Sequence, residues 1–515
     1  KPETADRLHL NLFAGMGGRY EVNANWAVRL TPRWSTMTLA HASTQVQEQD
    51  QNHDNFLDAP LRNTLSGIHR WKYQGDKMES MFGVKGLYET RTGGQIGFDP
   101  NASNNTLYGV QINSNRYEAF AKTGFFFPEP YRSIGTQVTA IYHDQTMQFG
   151  NKDYAGKQKM FWANFIYQSR IVNCNNEFKV GASFLYDDYD EQYSEINDTA
   201  TLANIDRQRT DQVPGVFGEY TRKSNNEKFT LVAGLRADYH QIYGLWLNPR
   251  LHVRYQIAKN TTLRGAAGKG TRIANIFAEN ANIFASGRNI AIQDNLQPET
   301  AWNYGISLVQ KFKLAEREGY ITADVFRTDF THQIITDLYS NSALIGFYNL
   351  SGKSYANSFQ IEMGYELLKG LDLKLAYKAD DAQATYADGK LHPVPFQARQ
   401  KALANIGYET PNEHWRFDFT TQWHGNRPLP PTAYNSDMND DGHAYSPDYF
   451  TLLGQITFAA DKWELYVGGE NLSNFMQPNP IANADMPFST QFDATNVWGP
   501  IMGAQIYGGI RFSLK

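Results

Sequence analysis

The chain has 515 residues, 41% of them apolar, and a formal net charge of −5. These values argue against a disordered chain and supply no basic block for nucleic acid. The single cysteine, Cys174, excludes an internal disulfide framework and any cysteine-based metal site. No run of about 18 apolar residues occurs, which excludes transmembrane helices. Aromatic residues reach 14%, and mean hydropathy is negative. A transmembrane β-barrel also has this profile, because only alternate residues of each strand face lipid.

The chain starts at Lys1-Pro2 without the charged and apolar regions of a leader, so a signal peptide is expected to be absent or already removed. Strict alternation then recurs from end to end. Tyr20, Val22, Ala24, Trp26, Val28 and Leu30 define one face, and Glu21, Asn23, Asn25 and Arg29 the other. Leu251, Val253, Tyr255 and Ile257 alternate with Arg250, His252, Arg254 and Gln256. Trp415, Phe417, Phe419 and Trp423 alternate with Arg416, Asp418, Gln422 and His424. A period of two marks strands with one apolar and one polar face. Aromatics near strand ends suit the girdles at two membrane interfaces.

The connections fall into two populations. Short turns are expected at 31–33, 75–76, 128–130, 173–176, 224–227, 258–260, 314–315, 369–370, 411–413 and 460–461. Long polar loops are expected at 46–64, 91–115, 190–212, 272–298, 334–353, 381–394, 425–447 and 473–500. The pattern predicts an all-β fold: a transmembrane antiparallel β-barrel of about 22 strands with short periplasmic turns and long extracellular loops, filling residues 1–515. Several soluble β-sandwich domains would also alternate. No linker or composition shift divides the chain, however, and aromatics follow the apolar faces throughout.

Several segments resemble the barrel of a TonB-dependent receptor. Asn248-Pro249-Arg250, then Gly268-Lys269-Gly270-Thr271-Arg272, is similar to the family's mid-barrel region. Leu296-Gln297-Pro298-Glu299 leading to Trp302-Asn303-Tyr304-Gly305 resembles one of its strand starts, and Gly469-Glu470-Asn471-Leu472 its penultimate strand. Asp54-Asn55-Phe56-Leu57-Asp58, Phe347-Tyr348-Asn349-Leu350-Ser351-Gly352 and the run from Phe492 to Pro500 resemble a Bacteroidetes-type subgroup. The resemblance implies an energy-coupled importer in the outer membrane of a Gram-negative bacterium. It also implies contact with outer-membrane lipid, and coupling to TonB through an N-terminal plug expected upstream of residue 1. A surface lipoprotein or another outer-membrane partner is a further expectation. Phe512 lies three residues before the terminal Lys515, an imperfect form of the terminal aromatic that barrels commonly carry.

Two loops have calcium-like spacing. Asp437, Asn439 and Asp441, followed by Gly442, place oxygen side chains at alternate positions before a flexible residue, with Asp448 where a closing acid would fall. Asp50, Asn52, Asp54 and Asp58 repeat the spacing with Asn55 in place of the glycine. The alternative for both is an acidic loop closed by Asx-turns. His9, His252 and His424 fall on polar faces and are expected in the lumen, with no close pairing suited to a transition metal.

Loop 272–298 carries Arg272, Asn275, Phe277, Glu279, Asn280, Phe284 and Arg288, a mixture of rings, charges and amides suited to ligand capture. Its alternative is a loop that packs on its neighbours to close the barrel top. The run Gly265 to Thr271 has the wrong spacing and context for a phosphate loop, and no catalytic motif occurs. The leading expectation is import of a scarce or bulky nutrient such as a metal chelate, haem, cobalamin, peptide or glycan. The alternatives are a plugless diffusion porin and a non-transporting barrel acting as a scaffold.

Overall fold

The computed structural model describes residues 4–102, 106–197, 200–430 and 444–514. Twenty-two antiparallel strands close into one barrel. Closure is direct. Leu8–Gly15 pairs with Arg19–Arg29 on one side and with the last strand, Gln505–Leu514, on the other. In register, Leu8 faces Leu514 and Gly15 faces Tyr507. A closed wall satisfies every ladder hydrogen bond internally, which a lipid environment demands.

The alternation sorts the two faces. Leu65 is 60% exposed, Ile306 58%, Val467 52% and Phe419 47%, all pointing outward. Transfer of each such side chain from water into an apolar phase gains roughly 1.5–3 kcal/mol. The outer face is therefore stable in lipid and a liability in buffer. Trp34 packs on Tyr73 at 5.1 Å, Trp71 on Phe82 at 5.5 Å, and Trp415 on Phe458 at 4.9 Å. These pairs flank the short turns, where amphipathic rings suit a membrane interface.

The inner face carries cross-strand charges. Glu219 is held between Lys179, at 2.9 Å, and Arg250. Glu464 lies between Arg416 and Arg511, the latter at 3.1 Å. His9 and His424 also face inward, against Ser513 and Tyr449. A lumen this wide cannot be filled by its own side chains.

Every short turn expected from the sequence lies at one rim. The opposite rim departs from expectation at 190–212. There the chain continues as Asn176–Asn197 and Ala200–Lys223, strands of 22 and 24 residues paired nearly throughout. A crossing takes about 9–11 residues, so their outer halves stand above the membrane as a ladder. The polar composition of this segment belongs to a hairpin and not to a loop, and one of its faces is buried at Glu191, Tyr193 and Glu195. Met78–Gly94 and Gly109–Phe126 likewise shorten the expected 91–115 loop to its central part.

Candidate functional site

The long connections fold over the extracellular mouth as one packed cap. Strand Thr261–Arg272 ends beside the start of Glu299–Leu314, and their register sets Arg272 against Glu299. The Arg272 guanidinium donates to Glu299 Oε2 at 2.7 Å and to both oxygens of Glu279 at 3.0 and 2.7 Å. Arg272 and Glu279 stay exposed. Glu279 closes a single helical turn, Ile276–Glu279, by accepting from the backbone of Asn275 at 2.9 Å. Asn275 Oδ1 caps the same turn by accepting from Ala278 N at 3.1 Å. Asn280 donates to Ile276 O at 2.8 Å and accepts from Thr336 at 3.3 Å.

Phe277 and Phe284 are packing residues. Both are almost completely buried, and their rings stack on Tyr193 at 5.7 and 5.4 Å. Tyr154 and Phe149 close the cluster from the neighbouring strands. Arg288 is buried too, and donates to Asp493 at 2.8 Å. Among the seven residues of this loop singled out in the sequence, Arg272, Glu279 and Asn280 thus reach solvent, while the other four hold the loop in place.

The residues that sequence reasoning missed lie in the last long loop. Asp493 is buried, accepts from Thr495 N and Oγ1 at 2.8 and 2.6 Å, and receives Arg288. Gly287 N donates to Phe492 O at 2.7 Å and Ala494 N to Ala285 O at 2.9 Å. Phe492 packs on Phe56 and Tyr108 from two other loops, at 5.8 and 4.7 Å. Gln477, also buried, bonds Asn496 O, Trp498 N and Gly499 N. Only the Phe492-to-Pro500 run hinted at this hub, and it carried no signal of its partners.

A third group joins two more loops. A short three-stranded sheet forms from Asn289–Ile292, Ile334–Asp337 and Leu344–Asn349. Asp337 accepts from Ser340 Oγ and N, Tyr339 N and Tyr348 OH at 2.5–2.9 Å, and from Ala387 N at 3.3 Å. Burial pushes this carboxyl upward, yet the donors from Ser340, Tyr348 and Tyr339 together hold it below the usual carboxylate range.

Of the calcium-like positions, Asp437, Asn439 and Asp441 lie outside the described residues. Asp448 accepts from Trp423 Nε1 at 2.9 Å. In the early loop the oxygens serve their own backbone. Asp50 accepts from Asp54 N and Asn55 N at 3.1 and 3.0 Å, Asn52 from Asp54 N at 3.3 Å, and Asp54 from Phe56 N at 2.9 Å. Asp58 accepts from Gln51 N at 2.7 Å, and burial pushes its carboxyl upward. Among the described residues no three acidic, histidine or cysteine groups converge as a metal site.

A closed wall, apolar outside and charged inside, with one mouth covered by interlocked loops, defines an outer-membrane receptor barrel. The family described as "TonB dependent receptor-like, beta-barrel" matches residues 36–472, and the chain belongs to it. No curated protein matches in sequence. Solved structures share the fold at low identity. The siderophore receptor PiuA from Acinetobacter baumannii is 11% identical with a TM-score of 0.70, covering 99% of this chain and 82% of that one. The ferric enterobactin receptor PfeA from Pseudomonas aeruginosa, a variant solved with enterobactin, is 13% identical with a TM-score of 0.71, covering 98% and 81%. FpvAI in its complex with pyocin S2 is 13% identical with a TM-score of 0.68, covering 99% and 73%.

Proposed function

We propose that the protein takes up a scarce or bulky nutrient by TonB-dependent transport, capturing it at the loop cap. The family supports outer-membrane, TonB-coupled transport. The observation that carries the capture step is the way loops 273–298, 333–353 and 471–504 interlock over the mouth while Arg272, Glu279 and Asn280 face solvent. A rigid frame with a few exposed polar groups holds a ligand without a large ordering cost. Similar structures described as siderophore receptors put metal chelates first among the cargoes, with haem, cobalamin, peptide or glycan behind. A Bacteroidetes-type origin and a surface lipoprotein partner belong to the same proposal.

The test is uptake and growth of a deletion strain on single sources of iron, cobalamin, peptide and glycan, with and without a protonophore. Loss of growth on one source, restored by the gene and abolished by the protonophore, is expected. Uptake that ignores the protonophore would select the passive-pore reading, which the charged lumen favours. Calcium at 437–448 is proposed separately: calorimetric titration should give heat that Asp448→Asn diminishes, and a flat titration would end that proposal.

A further inference from the structure

The barrel wall steps down beside its tallest hairpin. Strand Ala200–Lys223 pairs with Asn176–Asn197 nearly to its tip, but its ladder with Phe229–His240 stops at Gly215 opposite Asp238. The chain then turns through Gln241, Ile242 and Tyr243 into Gly244–Ala258. This low turn is tied to the taller strand beside it, Gln241 Nε2 donating to Thr210 O at 2.5 Å. At its root His240 is completely buried. The imidazole packs on Tyr243 at 4.8 Å and on Trp246 at 5.2 Å.

Hydrogen bonds fix where the ring carries its proton. Nδ1 accepts from Ile242 N at 3.1 Å and from Tyr243 N at 3.2 Å. A nitrogen that accepts from two amides holds no proton, so Nε2 carries it and donates to Asp211 Oδ1 at 3.2 Å. Asp211 is buried as well, and Arg209 meets its other oxygen at 2.8 Å. The remaining charges nearby have partners of their own. Asp187 faces Asp211 across the hairpin and accepts from Gln158 at 2.8 Å. Asp238, on the strand of His240, is held by Arg236 at 2.6 Å. Arg207 stands opposite Glu191 in register.

The same cluster holds both feet of loop 273–298. Tyr243 OH donates to Leu296 O at 3.1 Å, and Arg209 Nη1 donates to Ala274 O at 3.2 Å. We infer that His240 is a proton-operated clamp on this loop: without a proton on Nδ1 it locks the 241–243 turn and the loop's footing, and proton uptake releases both. Linkage sets the direction. The closed turn excludes a proton from Nδ1 and a released ring accepts one, so acid favours release. Asp211 binds the other nitrogen. A stronger bond there does not relieve three N–H groups converging at Nδ1.

The test is hydrogen exchange of the detergent-solubilised protein at about pH 7.5 and about pH 5, a range that spans imidazole titration. Each rate is taken relative to the unfolded chain at the same pH. Uptake of one proton by a solvated imidazole, with a pKa of about 6.5, lowers protection by at most about thirtyfold over that range. Wild-type segments 241–246 and 273–298 are expected to lose protection about tenfold or more in acid. His240→Asn keeps an acceptor for the two amides, as an Asx-turn, but does not titrate. Its protection should be equal at both values. His240→Phe fills the site without an acceptor and should be loose at both. Wild-type protection unchanged in acid would overturn the inference, and this arm stands even if a variant fails to fold. So would an asparagine variant that loosens in acid as fully as the wild type, or a phenylalanine variant as protected as the wild type. No cargo enters the measurement, so its outcome is separate from the uptake assay.

Discussion

Arg288 and Asp493 lie 205 residues apart in the chain and form a buried ion pair of 2.8 Å over the barrel mouth. Each comes from a different loop, and each is braced by its own loop. Asp493 also holds Thr495, and the carbonyl of Arg288 accepts from the buried Lys152 at 2.7 Å. The contact therefore joins two loops and the end of one strand at a single point. Removing one partner of such a pair strands the other charge in a dry site, at a cost of about 3–5 kcal/mol. Arg288→Met should raise hydrogen exchange across 273–298 and 471–504 while the staves keep their protection. Unchanged exchange in both loops would show that the pair does not hold the cap.

Gly287 sits one residue away at the same junction. A Cβ there would come within 2.0 Å of Ser489 O. No flexible side chain can yield, since the obstacle is backbone. Gly287→Ala should separate the two loops without touching the ion pair's chemistry. Limited proteolysis is the readout: new cleavage near 273–298 in the variant, with an intact barrel core. Wild-type resistance would mean that the loops shift to accommodate the methyl group.

Asp337 gives the cap an acid dependence. Its folded carboxyl is held below the ordinary value of 3.8, so its contribution is complete above that value and fades as the pH falls through the lowered one. At neutral pH its five hydrogen bonds are all in place. Asp337→Asn retains only one acceptor oxygen and turns an amide toward Ala387 N, which can only donate. A local loss of about 1–3 kcal/mol is expected, seen as faster exchange of Tyr339 and Ser340 amides at pH 7. In the wild type those amides should loosen only in strong acid.

Ala315 and Glu316 form the two-residue turn between Leu314 and Arg317, with φ of 48° and 64°. Both central residues are left-handed, a turn that favours asparagine and glycine. Replacing Ala315-Glu316 by asparagine-glycine should stabilise the hairpin by about 1 kcal/mol. The exposed Lys313–Glu316 pair lost in the exchange is worth less than that. A higher urea midpoint for barrel unfolding in detergent is the expected result, and a lower one would sink the argument.

Leu251 and His252 are neighbours on opposite faces, mid-strand in Gly244–Ala258. Leu251→Arg places a charge against lipid, at about 2–4 kcal/mol if near the midplane, whereas His252→Arg adds one more cation to a wet lumen. Folding yield into lipid vesicles should drop for the first and hold for the second. Equal yields would contradict the assignment of faces.

Much of this molecule was legible in its sequence because barrel building is local. A period of two is set residue by residue. Turns such as Lys369-Gly370 announce themselves, Gly370 taking a φ of 77°. Closure then follows once every strand has two partners. The face of each strand, the short rim and the strand count all come from that periodicity, and none needs distant contacts.

The cap is different. Phe277 and Phe284 looked like ligand-binding rings because loop aromatics read alike whether they meet a ligand or Tyr193. Segment 190–212 looked like a loop because a polar hairpin and a coil share a composition. Nothing near Arg288 in sequence specifies Asp493. Sequence by itself determined the wall, since strand alternation repeats at short range. Only the tertiary structure decided which loop residues are buried and which charges are paired, because those outcomes depend on segments hundreds of residues apart meeting once the wall has closed.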